Sequence, residues 1–187
     1  TTNSLNGSID KNGCGKFEDF TDTALRAIKD IGITHIWYTG ILAHASKTDY
    51  TKYGIPAPNP EIVKGVAGSP YAIRDYYDVN PDLAIDVDQN EMKVIIDFVP
   101  NHLARDYYSI KKPNSIEEFG AADDNNFSFS PNNNFYYIVD HSLDLSNILV
   151  DDKIKTNYVE SPAKATGNDC FSHQPTTNDW YETIKLN

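Results

Sequence analysis

Cysteine is scarce: Cys14 and Cys170 are the two in 187 residues, far apart and outside any CxxC pattern. That scarcity excludes a cysteine-based zinc site and leaves two arrangements open, a single bridge or two free thiols, with free thiols the default. No run of 18 apolar residues occurs, so no segment reads as a membrane-spanning helix. Basic runs are missing as well, and 16 Lys and Arg against 27 Asp and Glu give a formal net charge of -11. A chain of that sign repels nucleic acid phosphates and anionic lipid, so neither is an expected partner. The opening TTNSLNGSID has no basic, apolar or cleavage region, so no export signal is visible. No internal repeat occurs.

What is present is aromatic. Tyr, Phe and Trp make up 12% of residues, with 12 tyrosines, enough large side chains for one folded domain. In FEDFTDTALRAIKDI, Phe20, Ala24, Leu25, Ile28 and Ile31 recur on one helical face, with Thr21 or Asp22 as cap and Gly32 as stop. ITHIWYTG follows as a buried strand, so helix, glycine and strand form an α/β unit. Residues 39–88 are irregular, with EIVKGVA as their one short helix candidate. KVIIDFV reads as a second buried strand. Beyond it lies a long polar stretch with ADDNN and SPNNNFYY, in which FYYIV at 135–139 is a strand and DWYETIKL from Asp179 begins a helix.

A helix is missing from this pattern. ITHIWY and KVIIDF are apolar on both faces, as parallel strands are, and parallel neighbours need a crossover, nearly always helical. No adequate helix lies between them. Either the strands are not parallel, or a helix is lost between Asp88 and Gln89; QNEMKVIID, which reads as the last turn of a helix entering a strand, favours the loss.

KVIIDFVPNH is where an apolar run ends in chemically capable side chains. Asp97 stands at the strand end, with Asn101 and His102 in the loop beyond, the end at which α/β sheets assemble their sites. The bland reading, in which Asp97 caps a loop and His102 is surface, stands beside it. His44, after the first strand, is a cleft-lining candidate. His35 reads as a core histidine, Arg74 and Asp75 as a structural ion pair or network, and His141 and His173 have no pattern behind them.

GITHIWYTG, GSPYAIRDYYDVNPDLA and VIIDFVPNH, in that order and spacing, resemble glycoside hydrolase family 13, the α-amylase family, and IIDFVPNH resembles that family's first signature region. The tail ESPAKATGNDCFSHQPTTNDWYETIKLN is similar to the stretch that rejoins the family's inserted domain to its barrel. The resemblance implies a partial (β/α)8 TIM barrel, holding the second and third strands, with an irregular domain B after the third. Residues 1–106 are then partial barrel with the loop after the second strand, 107–178 domain B, and 179–187 the start of the return. It implies sugar contacts by His102, Tyr71 and, more loosely, His44. Asp97 and Asp75 would be structural organisers, and Asn101 with Asp179 would be ligands of a structural Ca²⁺.

The implied partner is an α-glucan or oligosaccharide, together with the remainder of the chain's own catalytic domain. Relatives are often extracellular or periplasmic, and compartment stays open. Retaining glycosidases use two carboxyl groups about 5–5.5 Å apart. The family's G-F-R-x-D nucleophile strand, its glutamate acid/base and its later H-D pair have no counterpart here, and a barrel of this type needs roughly 250 residues. The resemblance therefore puts the nucleophile aspartate and the acid/base glutamate beyond Asn187, and names no catalytic residue within the chain. The expectation is a discontinuous portion of an enzyme acting on α-1,4-glucosidic linkages, itself inactive. A non-catalytic carbohydrate-binding relative is the alternative. A metal-dependent hydrolase using Asp97, Asn101 and His102 is weaker, lacking a further ligand.

Overall fold

Helix formation begins where capping and periodicity agree. Thr21, in extended backbone, accepts a hydrogen bond from Ala24 N and opens α1 (Asp22–Asp30). Gly32, at φ 93°, ends the turn after it in a conformation that glycine adopts without strain. The expected helix does not extend back to Phe17. Phe17–Asp19 is a 3₁₀ turn in which Asp19 accepts from Lys16 N at 2.8 Å, so the local side-chain bond outcompetes the helix. The computed structural model describes residues 15–83, 93–148 and 158–187. The proposed junction at Asp88–Gln89, and Cys14, lie outside them; Cys170 is a free thiol.

Among the described residues, eight short strands make four two-stranded sheets: β1 (His35–Tyr38), β2 (Leu42–His44), β3 (Ile73–Val79), β4 (Lys93–Ile96), β5 (His102–Ala104), β6 (Tyr137–Ile138), β7 (Ala163–Lys164) and β8 (Thr183–Lys185). β1 and β4 pair in parallel, Trp37 opposite Ile95, while β2–β3, β5–β8 and β6–β7 are antiparallel. Among the described residues no α-helix crosses between β1 and β4, and no sheet closes into a barrel.

Burial corrects the first reading of these two strands. Both were expected inside, yet Trp37 is 68% exposed, Ile95 and Ile96 are each 48% exposed, and α1 buries none of its side chains. Nothing among the described residues covers the outer surface of that parallel pair. The core lies elsewhere, in two small clusters. Ala45, Val63, Ala72 and Ala104 form one, between the β2–β3 pair and the start of the polar half. Gly68 lets the chain close on it: at φ 68°, a Cβ there would lie 1.6 Å from the Ala45 carbonyl oxygen. EIVKGVA yields only a 3₁₀ turn at Pro60–Ile62, capped by the Asn59 carboxamide accepting from Glu61 N.

Leu103, Phe135, Tyr137 and Ile184 form the second cluster, with Tyr76, Tyr107, Val139 and Leu186 packed against it. Here the helix expected from Asp179 is replaced by a turn and a strand. The Asp179 carboxylate bends back to accept from Thr176 N and Oγ1, each at 2.8 Å, and the β-branched Thr183 and Ile184 pair with β5 instead. FYYIV shortens to Tyr137–Ile138, and Phe135 makes an isolated bridge to Leu186.

Side chains organise the polar half. Asp123 accepts from Asn134 N, Phe135 N and the Tyr137 hydroxyl at 2.7–3.0 Å. The Arg105 guanidinium, fully buried, bonds Glu160 at 2.5 Å and also donates to the Tyr181 and Lys164 carbonyls. Because β5 pairs with β8, the segment ending at 106 and the segment 179–187 meet in one ribbon. Among the described residues no helix is long and apolar enough to cross a membrane.

Candidate functional site

Asp97 follows β4 directly. Its backbone N–H donates to the Tyr38 carbonyl at 3.2 Å, and its Oδ1 accepts from Trp37 Nε1 at 2.7 Å. The parallel pairing therefore places this carboxylate beside the C-terminal end of β1. Asp97 lines one small cleft with Gly40, Pro70, Tyr71 and Val99. Two of the expected residues, Tyr71 and Asp97, thus share a wall.

His102 is not the loop residue expected. It opens β5 opposite Lys185 and is 5% exposed. Gly167 presses on it so closely that a Cβ there would lie 2.7 Å from the His102 Cβ and 2.8 Å from its Cγ. On its open side the imidazole meets the Trp180 indole, centroids 5.2 Å apart and planes tilted by 57°. Burial, then the nearby Lys185 charge, push the His102 pKa down, while a hydrogen bond with the Tyr71 backbone acts in the other direction. The net direction is downward, so the ring is neutral at pH 7. Its Nδ1 is buried without a hydrogen-bond partner. A neutral imidazole with an unpaired nitrogen, beside an exposed indole, offers polar and stacking contacts together.

The remaining expected residues stand apart from this group. His44 has both ring nitrogens in contact, Nε2 with the Ala67 carbonyl at 3.1 Å and Nδ1 with Asn80 Nδ2 at 3.2 Å, so it braces the loop after β2. Asp75 is buried and accepts from Tyr77 N at 2.7 Å; burial raises its pKa against the pull of the Tyr77 and Ser109 bonds. It behaves as an organiser of local backbone. Of the two arrangements expected for Arg74 and Asp75, an ion pair or a network, the ion pair is made by Arg74 with Asp106, at 3.3 Å. His35 is exposed, not core, and its Nδ1 meets Thr34 Oγ1 at 2.8 Å. His141 and His173, which had no pattern behind them, lie with ring centroids 4.5 Å apart and planes tilted by 32°.

Asn101 is exposed, and its carbonyl accepts from Leu186 N at 2.9 Å. Asp179 has both carboxylate oxygens in use, Oδ2 by Thr176 and Oδ1 by Asn168 Nδ2 at 3.2 Å. The Thr176 backbone bond, first among several, holds its pKa below the usual carboxylate range. Among the described residues no group of three or more His, Cys, Asp or Glu side chains converges on a metal-sized space. The two expected Ca²⁺ ligands are thus an exposed asparagine and a carboxylate engaged by Thr176 and Asn168.

Asn187, beyond which the nucleophile and acid/base are expected, is exposed. Its backbone N–H donates to the Asn134 carbonyl at 2.8 Å, and its carboxamide donates to the Ser130 and Asn133 carbonyls, each at 2.9 Å. At Asn187 the segment from 179 is tied by these bonds to the loops of the polar half.

Trp37 and Trp180, the two tryptophans of the chain, escaped the sequence reading. Trp37 looked like strand core and Trp180 like helix. The signal that could have found them is their count: both tryptophans flank the polar residues at issue. No protein-family model, no curated protein and no solved structure matches the chain.

Proposed function

We propose that these residues are the sugar-contacting portion of an α-amylase-type retaining glycosidase that hydrolyses or transfers α-1,4-glucosidic linkages in starch-like glucans. The reading rests on the motif order GITHIWYTG, SPYAIRDYY and DFVPNH. Two contacts support it: Tyr71 lines a small cleft with Asp97 at the end of the β1–β4 pair, and the Trp180 indole lies against the His102 imidazole. In this reading the phenol of Tyr71 and the indole of Trp180 take the C–H faces of pyranose rings, and the unpaired Nδ1 of His102 takes a hydroxyl once the indole moves aside. Asp97 holds Trp37 and carries no proton transfer. The nucleophile and acid/base belong to patterns that these 187 residues do not contain, so bond cleavage is not assigned to any residue from Thr1 to Asn187.

The test uses the two tryptophans as reporters. Maltoheptaose titrated into the polypeptide should shift or quench indole emission, and Trp180→Phe should remove most of the response while Trp37→Phe keeps it. Cellohexaose should produce a weaker change. Emission that stays constant up to millimolar maltoheptaose would overturn the reading. So would release of reducing ends from starch by this polypeptide, since it would place the catalytic carboxylates among these residues.

A further inference from the structure

Among the described residues, one cavity does not belong to the group around His102. It encloses about 400 Å³, within the usual range for small-molecule sites. Its floor is Leu103 of β5 and Ile184 of β8, which face each other in register. Side chains alternate across a strand, so His102 and Thr183, one position away, lie on the ribbon's opposite face. Gly167 packs against both of them there. The cavity and the His102 group are therefore back to back.

Its walls are aromatic. Tyr107 and Phe119 meet edge to face at 5.1 Å, and Phe135 and Tyr137 do so at 6.4 Å. Gly120 keeps the space between them open: at φ 80°, a Cβ there would lie 2.6 Å from the Phe135 ring. The rim is polar and mixed in sign. Lys164 brings its ammonium within 5.6 Å of the Phe135 centroid, Asn125 an exposed carboxamide, and Glu118 a carboxylate that also reaches Lys112 at 3.2 Å. The one buried cation on the wall, Arg105, is already committed to Glu160.

That combination selects a ligand class. An anion would face Glu118 on a chain of net charge -11, and a cation would face Lys164. A wholly apolar molecule would have to desolvate the Asn125 amide without pairing it, and strip water from the Lys164 ammonium, which faces Glu160 at 3.7 Å. A neutral ring bearing hydroxyls satisfies both rim chemistries, because each hydroxyl donates and accepts, while its C–H face lies on the aromatic walls. We infer that this cavity is a second carbohydrate site, sized for a mono- or disaccharide and separate from the Tyr71–His102 group. The inference goes beyond the proposed function and does not need it.

The experiment is a maltose titration of the ¹⁵N-labelled polypeptide, followed by amide shifts and tryptophan emission together. The cavity lining contains no tryptophan, so the two signals separate the sites. Amides of Gly120 and Ser161 should move with saturation. Asn125→Ala, on an exposed loop, should weaken that response about tenfold, and Phe119→Leu should weaken it further. Neither should alter the emission response. Shifts at Gly120 and Ser161 with silent tryptophans would uphold the second site while the proposed function fails. Emission changes without those shifts would overturn the second site and leave the proposed function standing. Shifts that neither variant weakens would also overturn it.

Discussion

The apolar segment and the polar segment exchange the places their compositions assign them. KVIIDF and ITHIWY are the most apolar strands in the sequence, yet Trp37, Ile95 and Ile96 are exposed. The stretch from His102 onward is rich in Asn, Asp and Ser, yet it holds Leu103 at 1%, Phe135 at 4% and Ile184 at 4% exposure. Apolar runs report what a strand can bury, and burial needs a partner on each face. In the polar half the partners are supplied locally, by carboxylates and amides that satisfy the backbone of irregular loops and let a few aromatics come together. Regular secondary structure is therefore a poor guide here to where stability resides.

The widest test of that contrast is the buried pair. Glu160→Ala leaves the Arg105 guanidinium buried without its carboxylate, and breaking such a pair costs about 3–5 kcal/mol. Urea denaturation followed by tyrosine fluorescence should show the loss; a change near zero would mean that the polar half is not the stable part. The pair also sets a pH dependence. Burial raises the Glu160 pKa, but Arg105 and Lys164 more than offset it, so the net direction is down. A depressed carboxylate contributes stability above its unfolded value, about 4.3, and loses it as pH falls through the lower folded value. Glu160→Gln should flatten that acid limb.

Next in size is the Asp123 loop. Asp123→Ala removes three hydrogen bonds, to Asn134 N, Phe135 N and the Tyr137 hydroxyl, and strands groups that are partly buried. The expected loss is about 2–3 kcal/mol, with Asp123→Asn recovering part of it. Amide exchange at Phe135 should speed up with the loss; unchanged protection would show that packing alone holds the loop. Asp106 sharpens the comparison from the opposite sign. Its carboxylate is buried beside Arg74, and burial, the larger effect, raises its pKa despite that charge. A raised carboxylate favours the protonated folded state, so its contribution falls as pH rises through the folded value, above the usual 3.9 or so. The difference between wild type and Asp106→Asn, measured across pH 4–7, should carry that slope; a level difference would refute the assignment.

How much of this was legible follows the same division. α1 and its Thr21 cap were readable because capping and period are local, and so was the parallel relation of β1 and β4, from their two-faced apolarity. The resemblance linked Tyr71 with His102 at one sugar ring and made Asp97 an organiser; the cleft that Tyr71 and Asp97 share was not foreseen. Nor was the burial of His102, because it depends on Gly167 and Trp180, more than sixty residues downstream. The DWYETIKL segment misled for a related reason: Asp179 has the chemistry of a helix cap, and only its bonds to Thr176 and Asn168 reveal a turn.

The smallest expected effect probes the exposed strands. Ile95 is 48% exposed, and its register partner Trp37 presents 68% of its surface. If that surface faces water, Ile95→Lys removes little buried area, and the change in stability should stay within about 0.5 kcal/mol. Solubility should improve, because a charge on an open strand edge discourages pairing with another chain. A loss of several kcal/mol would mean that Ile95 is covered in solution, and the division between an exposed apolar half and a self-sufficient polar half would fall. A dye that fluoresces on apolar surfaces separates the cases without a stability measurement. Wild type should bind it and Ile95→Lys should bind less, whereas a covered surface would bind none until the substitution opened it.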